Sequence, residues 1–321
     1  MKLVKYISTV TIATAIASSA AAETKVYGSL RLALQDLDTD GGTTDSLDIE
    51  DRLSRIGVKG SSKLNNGLTI FGQIEYGLSA GGEFTQGEDL GLRLATVGFK
   101  GDFGKVSIGS QTPLWHKMVR GAYFSDGNDS LRHGTIRDDD LVQYMGKNGG
   151  FSYGAEVSFE AEDDEDINHY TAGASYGNKK FKLQAAVLKD NLGDNTGTLT
   201  GIRAWAYLGP VTLSAFHHNS PDDFDLYGVG GGYASASTGA CAGEDRDTTG
   251  IYGRYKTGSN QFHARFATLD CDSDSAEESI KLEYVKFLSK KTRIWLAYEE
   301  ISSEGTVAEP TIAEIGLRHD F

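Results

Sequence analysis

Asp270, Asp272 and Asp274 alternate as the first acids of a calcium-binding loop do. Such a loop needs a glycine at its sixth position and a bidentate glutamate at its twelfth. Ser275 and Lys281 stand there instead, so the pattern supports at most a loose divalent-cation site. The glycine-rich run 228–232 carries Tyr233 where a dinucleotide-binding loop has its third glycine, and no helical pattern follows it. His217 and His218 have no neighbouring set of metal ligands. Serine, histidine and aspartate are scattered without a nucleophile elbow, so a hydrolytic triad is unsupported. The remaining chemistry is electrostatic. Arg31, Arg55 and Arg93 each alternate with apolar residues (Leu30, Ile56 and Leu94). A long segment, about 113–138, gathers Lys117, Arg120, Arg132 and Arg137 with Asp126 and Asp129, and adds Trp115, Tyr123 and Phe124. Fixed charges of both signs can sort solutes without transforming them.

The elements that must hold these charges have a period of two. Leu30, Leu32 and Leu34 share one face, and Ser29, Arg31 and Ala33 the other. Leu68, Ile70 and Ile74 oppose Thr69, Gln73 and Glu75; Phe262, Ala264 and Phe266 oppose His263 and Arg265. Phe151 to Phe159 and Ile315 to Phe321 alternate in the same way. Each segment runs to about ten residues, the length of a tilted strand that crosses a bilayer. Short turns lie near 62–66, 101–104, 147–150, 177–180, 209–210, 257–260 and 289–291. Long polar loops lie between them, at 38–48, 80–90, 113–138, 161–167, 191–198, 219–247, 271–278 and 302–310. Seven turns and eight loops make fifteen connections, hence sixteen strands with both termini on the short-turn side. This predicts an all-β, closed antiparallel transmembrane barrel with short periplasmic turns and long outer loops. Tyr27, Tyr76, Tyr153, Tyr176, Tyr284, Tyr298 and Phe321 are placed to form interfacial girdles. By parity Arg31, Arg55 and Arg93 face a watery lumen, because an arginine facing the bilayer midplane costs about 2–4 kcal/mol.

Composition agrees. The 321 residues carry 31 Lys and Arg against 45 Asp and Glu, a net charge of −14, which argues against a nucleic-acid partner. With 40 glycines, long helices are disfavoured. After the first 25 residues no run is long and apolar enough for a helical membrane span. Lys2 and Lys5, an apolar stretch and the Ala20-x-Ala22 spacing make residues 1–22 an export signal, leaving a barrel domain at 23–321. Its loss removes two lysines and takes the charge to −16. The two cysteines of an exported chain, Cys241 and Cys271, suggest one disulfide, with two free thiols as the alternative. They fall in neighbouring long loops at the same barrel end, where a bridge is sterically reasonable.

Several stretches resemble the general porins of the Gram-negative outer membrane. Residues 54–60 (Ser-Arg-Ile-Gly-Val-Lys-Gly) are similar to the family's second strand. Residues 92–106 resemble its fourth strand, turn and fifth strand. Residues 140–144 with 149–154 resemble the sixth and seventh, and the ending Gly316-Leu317-Arg318-His319-Asp320-Phe321 is similar to the family's C-terminus. Ser110 and Met145 depart from it, standing where many or some relatives have arginine.

The resemblance implies a homotrimer of sixteen-stranded barrels, embedded in outer-membrane lipid and lipopolysaccharide. It implies a third loop folded into the lumen, making a constriction for small hydrophilic solutes. Arg31, Arg55 and Arg93 would then form its basic wall. Asp126 and Asp129 would supply the acidic side, with Arg120, Arg132 and Arg137 on the same loop. Trp115, Tyr123 and Phe124 would pin that loop to the wall. Phe321 would be read by the barrel-assembly machinery. The expected function is passive diffusion of ions and small solutes, with no enzyme activity, cofactor or metal. A substrate-specific channel for a sugar or an anion is the alternative. An aromatic ladder along the pore path would mark it, and Trp205 and Tyr207 could begin one if they face inward. A barrel enzyme, an adhesin and a soluble β-sandwich are more remote readings.

Overall fold

A computed structural model describes residues 23–40, 46–78, 90–124, 130–159, 167–191, 197–224, 229–230, 244–271, 277–303 and 309–321. The segment 1–22 and the residues Asp126, Asp129, Cys241, Asp272 and Asp274 lie outside them.

The described chain is almost all strand. The strands are β1 (Glu23–Asp40), β2 in two segments (Ser46–Asp51 and Arg55–Lys63), β3 (Thr69–Leu78), β4 (Leu90–Gly101), β5 (Gly104–Ser110), β6 (Leu141–Asn148), β7 (Phe151–Ser158) and β8 (His169–Gly177). They continue as β9 (Phe181–Asp190), β10 (Thr198–Leu208), β11 (Val211–Ser220), β12 (Arg246–Thr257), β13 (Asn260–Cys271), β14 (Glu277–Phe287), β15 (Thr292–Ser303) and β16 (Glu309–Asp320). Every neighbour is antiparallel, and β1 also pairs with β16, so sixteen strands close on themselves. Closure matters because hydrocarbon offers no partner for a free backbone N–H or C=O.

The seam is completed by the chain end. Gly28 and Phe321 exchange backbone hydrogen bonds of 3.2 and 3.1 Å. The Phe321 ring lies over Gly28, and a Cβ on residue 28 would come within 2.1 Å of it, so only glycine admits the ring.

The alternation in sequence becomes a barrel with its polarity inverted. Leu30, Val58, Ile202, Leu282 and Leu317 point outward and are exposed, whereas Arg31, Gln143, Arg203, Glu283 and Glu299 point inward and are buried. Tyr76, Tyr153, Tyr176, Tyr298 and Phe321 stand on the outer surface as predicted. Tyr27 does not: its hydroxyl donates to Glu75 Oε2 inside the lumen at 2.9 Å. Position 27 shares the parity of Ser29 and Arg31, which places it on the inner face.

The break in β2 has a local cause. Leu53 adopts φ 67°, a left-handed conformation that interrupts the ladder. Arg52 N–H and Ser54 Oγ then hold the adjacent β1 backbone, bonding Arg31 C=O and Arg31 N–H at 2.8 and 2.9 Å. The detour turns Arg52 inward onto Glu314, 2.6 Å away.

Leu282 lies at the centre of β14, half exposed on the apolar outer surface. Leu282→Arg is expected to destabilise the barrel in lipid by about 2–4 kcal/mol. Urea titration of the refolded protein in vesicles reads this directly, and an unchanged midpoint would contradict an outer face in hydrocarbon.

Candidate functional site

The loop between β5 and β6 runs into the barrel and lies against one inner wall. Its first part contains a helical turn, His116–Arg120. Leu114, Trp115, Met118 and Val119 pack on Ala186 of β9, Leu188 of β9 and Leu199 of β10, with Phe224 beyond β11. Further along, Tyr123, Phe124 and Leu131 pack on Phe216, Tyr252, Ala267 and Leu269 of β11 to β13. These wall positions are inward by parity, and they give the loop an apolar seat. Gly201 leaves the space for this seat: a Cβ there would stand 2.6 Å from the Trp115 ring.

Polar bonds fix the seat further. Leu114 N–H donates to both Glu156 carboxylate oxygens, at 3.1 and 3.0 Å. Gln184 Nε2 donates to the Met118 carbonyl. Arg203 donates from Nη1 to the Gly121 carbonyl at 2.8 Å and from Nε to the Tyr123 hydroxyl at 3.1 Å. Its guanidinium lies 4.1 Å from the centre of the Tyr123 ring, a cation–π contact in a buried setting. At the far end, Ser130 Oγ donates to Glu299 Oε1 at 2.5 Å, and Arg265 Nη1 to the Ser130 carbonyl at 3.0 Å.

Two arginines expected at the constriction serve this seat instead. Arg132 is fully buried and donates from Nη1 to the carbonyls of Arg120 and, at 2.8 Å, Gly121. Arg132 also pairs through its backbone with Gly230, so a later loop (229–230) covers it. Arg120 is buried beside His116, its Nη1 3.4 Å from His116 Nδ1. Closed off from the path, both act on the loop's own fold. Burial first, and then Arg120, push His116 down to about 2. Burial first, and then Arg246, push His133 down to about 3. Both imidazoles are therefore neutral near pH 7, which suits their place among arginines.

Across the lumen lies the basic wall. Glu75 on β3 is the acceptor at its centre. Arg93 Nε donates to Glu75 Oε1 at 2.9 Å, and Arg55 Nη1 stands 3.9 Å from the same oxygen. Arg137, returning from the loop toward β6, faces the same group. Burial first, and then the Arg93 guanidinium, lower it to about 10, so it stays charged at neutral pH. Ser110 ends β5 close by in sequence, and the bridge between Gln111 and Asp138 brings the two loop ends together. A third arginine thus comes from the loop although the fifth strand has Ser110.

Arg31 lies in a second row. It is paired in register with Arg318 of β16, which is paired with Arg293 of β15. Arg31 Nε donates to Ser29 Oγ at 2.9 Å, and Arg318 Nε to Asp320 Oδ1 at 2.8 Å. Among the described residues, no group of three or more His, Cys, Asp or Glu side chains is placed to hold a metal ion. His218 packs under the loop against Trp115, whereas His217 bonds Thr249 on the other face. Glu75, Arg203 and Glu299 hold these wall and loop contacts although they belong to no motif. Inward parity was the signal available for each.

The comparisons fit this geometry. A family model described as Gram-negative porin matches residues 9–306. The chain belongs to that family. A "Monosaccharide porin" from Halomonas sp is 24% identical over 282 residues, 78% of this chain and 72% of that one. An outer membrane porin protein of Bordetella pertussis is 32% identical over 121 residues, 34% of this chain and 31% of that one. The chain spans only 31% to 56% of the length of the first curated relatives it matches. The fold is that of the "Anion-selective porin from Comamonas acidovorans", with a TM-score of 0.76 at 19% identity over 94% of this chain and 100% of that one. This porin is accordingly an outer-membrane protein.

Replacing Arg55 and Arg93 together by serine removes both cations that pair with Glu75 on the wall. The K⁺ over Cl⁻ permeability ratio is expected to rise several-fold, and Glu75→Gln in the parent should move it the opposite way. Reversal potentials in a tenfold KCl gradient check both, and identical potentials would remove Glu75 and its arginines from the conduction path.

Proposed function

We propose that this porin is a water-filled channel for passive diffusion of ions and small hydrophilic solutes, and that it works without catalysis. One observation carries the reading. A loop rooted on β8 to β13 narrows the lumen from one side, and Arg55, Arg93 and Arg137 around Glu75 stand on the other. Solutes pass between a packed loop and a charged wall, so width and fixed charge both select. Asp126 and Asp129 belong to the stretch between Phe124 and Ser130, whose two flanks are seated on the wall, and we assign them the acidic side of the gap.

A homotrimer in lipid and lipopolysaccharide is part of this proposal. A solved neighbour, OmpT of Vibrio cholerae, is described as a trimer form and has a TM-score of 0.69 at 19% identity over 94% of this chain and 100% of that one. Phe321 at the seam is the residue we assign to recognition by the assembly machinery. We also propose the Cys241–Cys271 disulfide. Cys271 pairs in register with Arg246, and Cys241 precedes Arg246 by five residues, a reach compatible with a bridge.

Planar-bilayer recording tests the channel reading. Ohmic current appearing in groups of three equal steps is expected, with liposome swelling that falls smoothly as solute size grows. Folded protein that inserts without conducting would overturn it.

A further inference from the structure

Trp205 and Tyr207 are inward-facing residues of β10; Trp205 touches the edge of the loop's seat, and Tyr207 lies beyond it. They lie on the periplasmic side of the loop, between Arg203 and the short turn at Gly209 and Pro210. Their rings are nearly parallel, 12° apart, with centroids 6.4 Å from each other. On the loop side, the Arg203 guanidinium stands 4.3 Å from the centre of the Trp205 ring, and Tyr123 follows with its centroid 5.4 Å from that of Trp205. Tyr123 is buried in the loop's seat, and from it Trp205 and Tyr207 form a short file of partly open aromatic rings that leads toward the periplasmic mouth.

The file is built rather than incidental. Gln184 Oε1 accepts the Trp205 indole N–H at 2.9 Å and so sets the ring's orientation. Polar side chains flank the rings in register. Lys182 stands beside Trp205 and Thr212 beside Tyr207. Arg254 donates from Nη2 to Thr212 Oγ1 at 3.0 Å. Trp205 and Tyr207 remain only half-buried on the inner wall. Large aromatic faces left in water cost free energy unless a solute covers them in passing.

We propose that this file is a low-affinity binding track for pyranose sugars. One face of a pyranose carries C–H groups that sit on an electron-rich ring, while its rim of hydroxyls needs donors and acceptors at the side. Trp205 and Tyr207 supply the first, and Lys182, Thr212 and Arg254 the second. Weak sites in series suit a channel, since each must release what it holds. This inference rests on the channel reading above and adds a solute class to it.

The test is sugar-induced current block in a planar bilayer, with D-glucose against the acyclic polyol sorbitol at equal osmolality. For the parent protein, glucose should reduce the current saturably, and sorbitol only in proportion to viscosity. Tyr207→Ala touches no loop contact described above and should keep the KCl conductance. It should raise the half-blocking glucose concentration about three- to tenfold, the worth of one ring contact. Trp205→Ala should do the same, and Trp205→Phe should recover part of the loss. Glucose behaving as sorbitol does, or saturable block unchanged by both alanine variants, would overturn the track while leaving the channel intact. Absence of KCl current in the parent protein would instead remove the channel reading itself.

Discussion

A backbone in hydrocarbon must satisfy its own hydrogen bonds, and everything else in this molecule follows from that demand. Sixteen strands meet it only because β1 reaches β16 and the last residue, Phe321, finishes the seam over Gly28. Once the wall is closed, each strand has one face toward lipid and one toward water. Apolar side chains go out and charged ones go in, the reverse of a soluble core. The lumen is then a place where arginine and glutamate stand close to one another, as Arg93 and Glu75 do at 2.9 Å.

The third loop needs a different solution, because it enters that watery interior. It brings its own small apolar cores, around Trp115 and around Tyr123, and finds matching patches on β9 to β13. Its turns would leave carbonyls without donors. Arg132 and Arg203 supply donors to those of Arg120 and Gly121. Buried guanidiniums are tolerated here because they bond carbonyls and lie over aromatic rings. Anchoring on one side leaves the opposite wall open, and that is where Arg55, Arg93 and Arg137 face Glu75.

Much of this was legible in the residues. Alternation gave the inward parity of Arg31, Arg55 and Arg93, and the spacing of turns and loops gave sixteen strands. The break of β2 at Leu53 was not, because a left-handed leucine leaves no compositional mark. Tyr27 stands at a strand end like the girdle aromatics, but its parity turns it into the lumen. Arg120 and Arg132 look like pore charges in sequence, because a loop's sequence does not tell which side chains turn back upon it. Glu75 and Arg203 were visible as inward residues, but their roles depend on contacts 18 and 80 or more residues away in sequence. The part played by Arg137 needed the return path of the loop, which only tertiary structure supplies.

The measurement that bears most directly on a lumen narrowed by its own clamped loop is the single-channel conductance of Arg132→Ala. That change removes the donor to the Arg120 carbonyl and one of the two donors to that of Gly121. It also removes a cation–π contact to Phe216 of the wall, and leaves the strand ladder itself intact. Larger, noisier steps and a raised solute size limit are expected, from protein whose unboiled gel migration still shows an intact barrel. The same conductance and the same size limit from folded protein would contradict it.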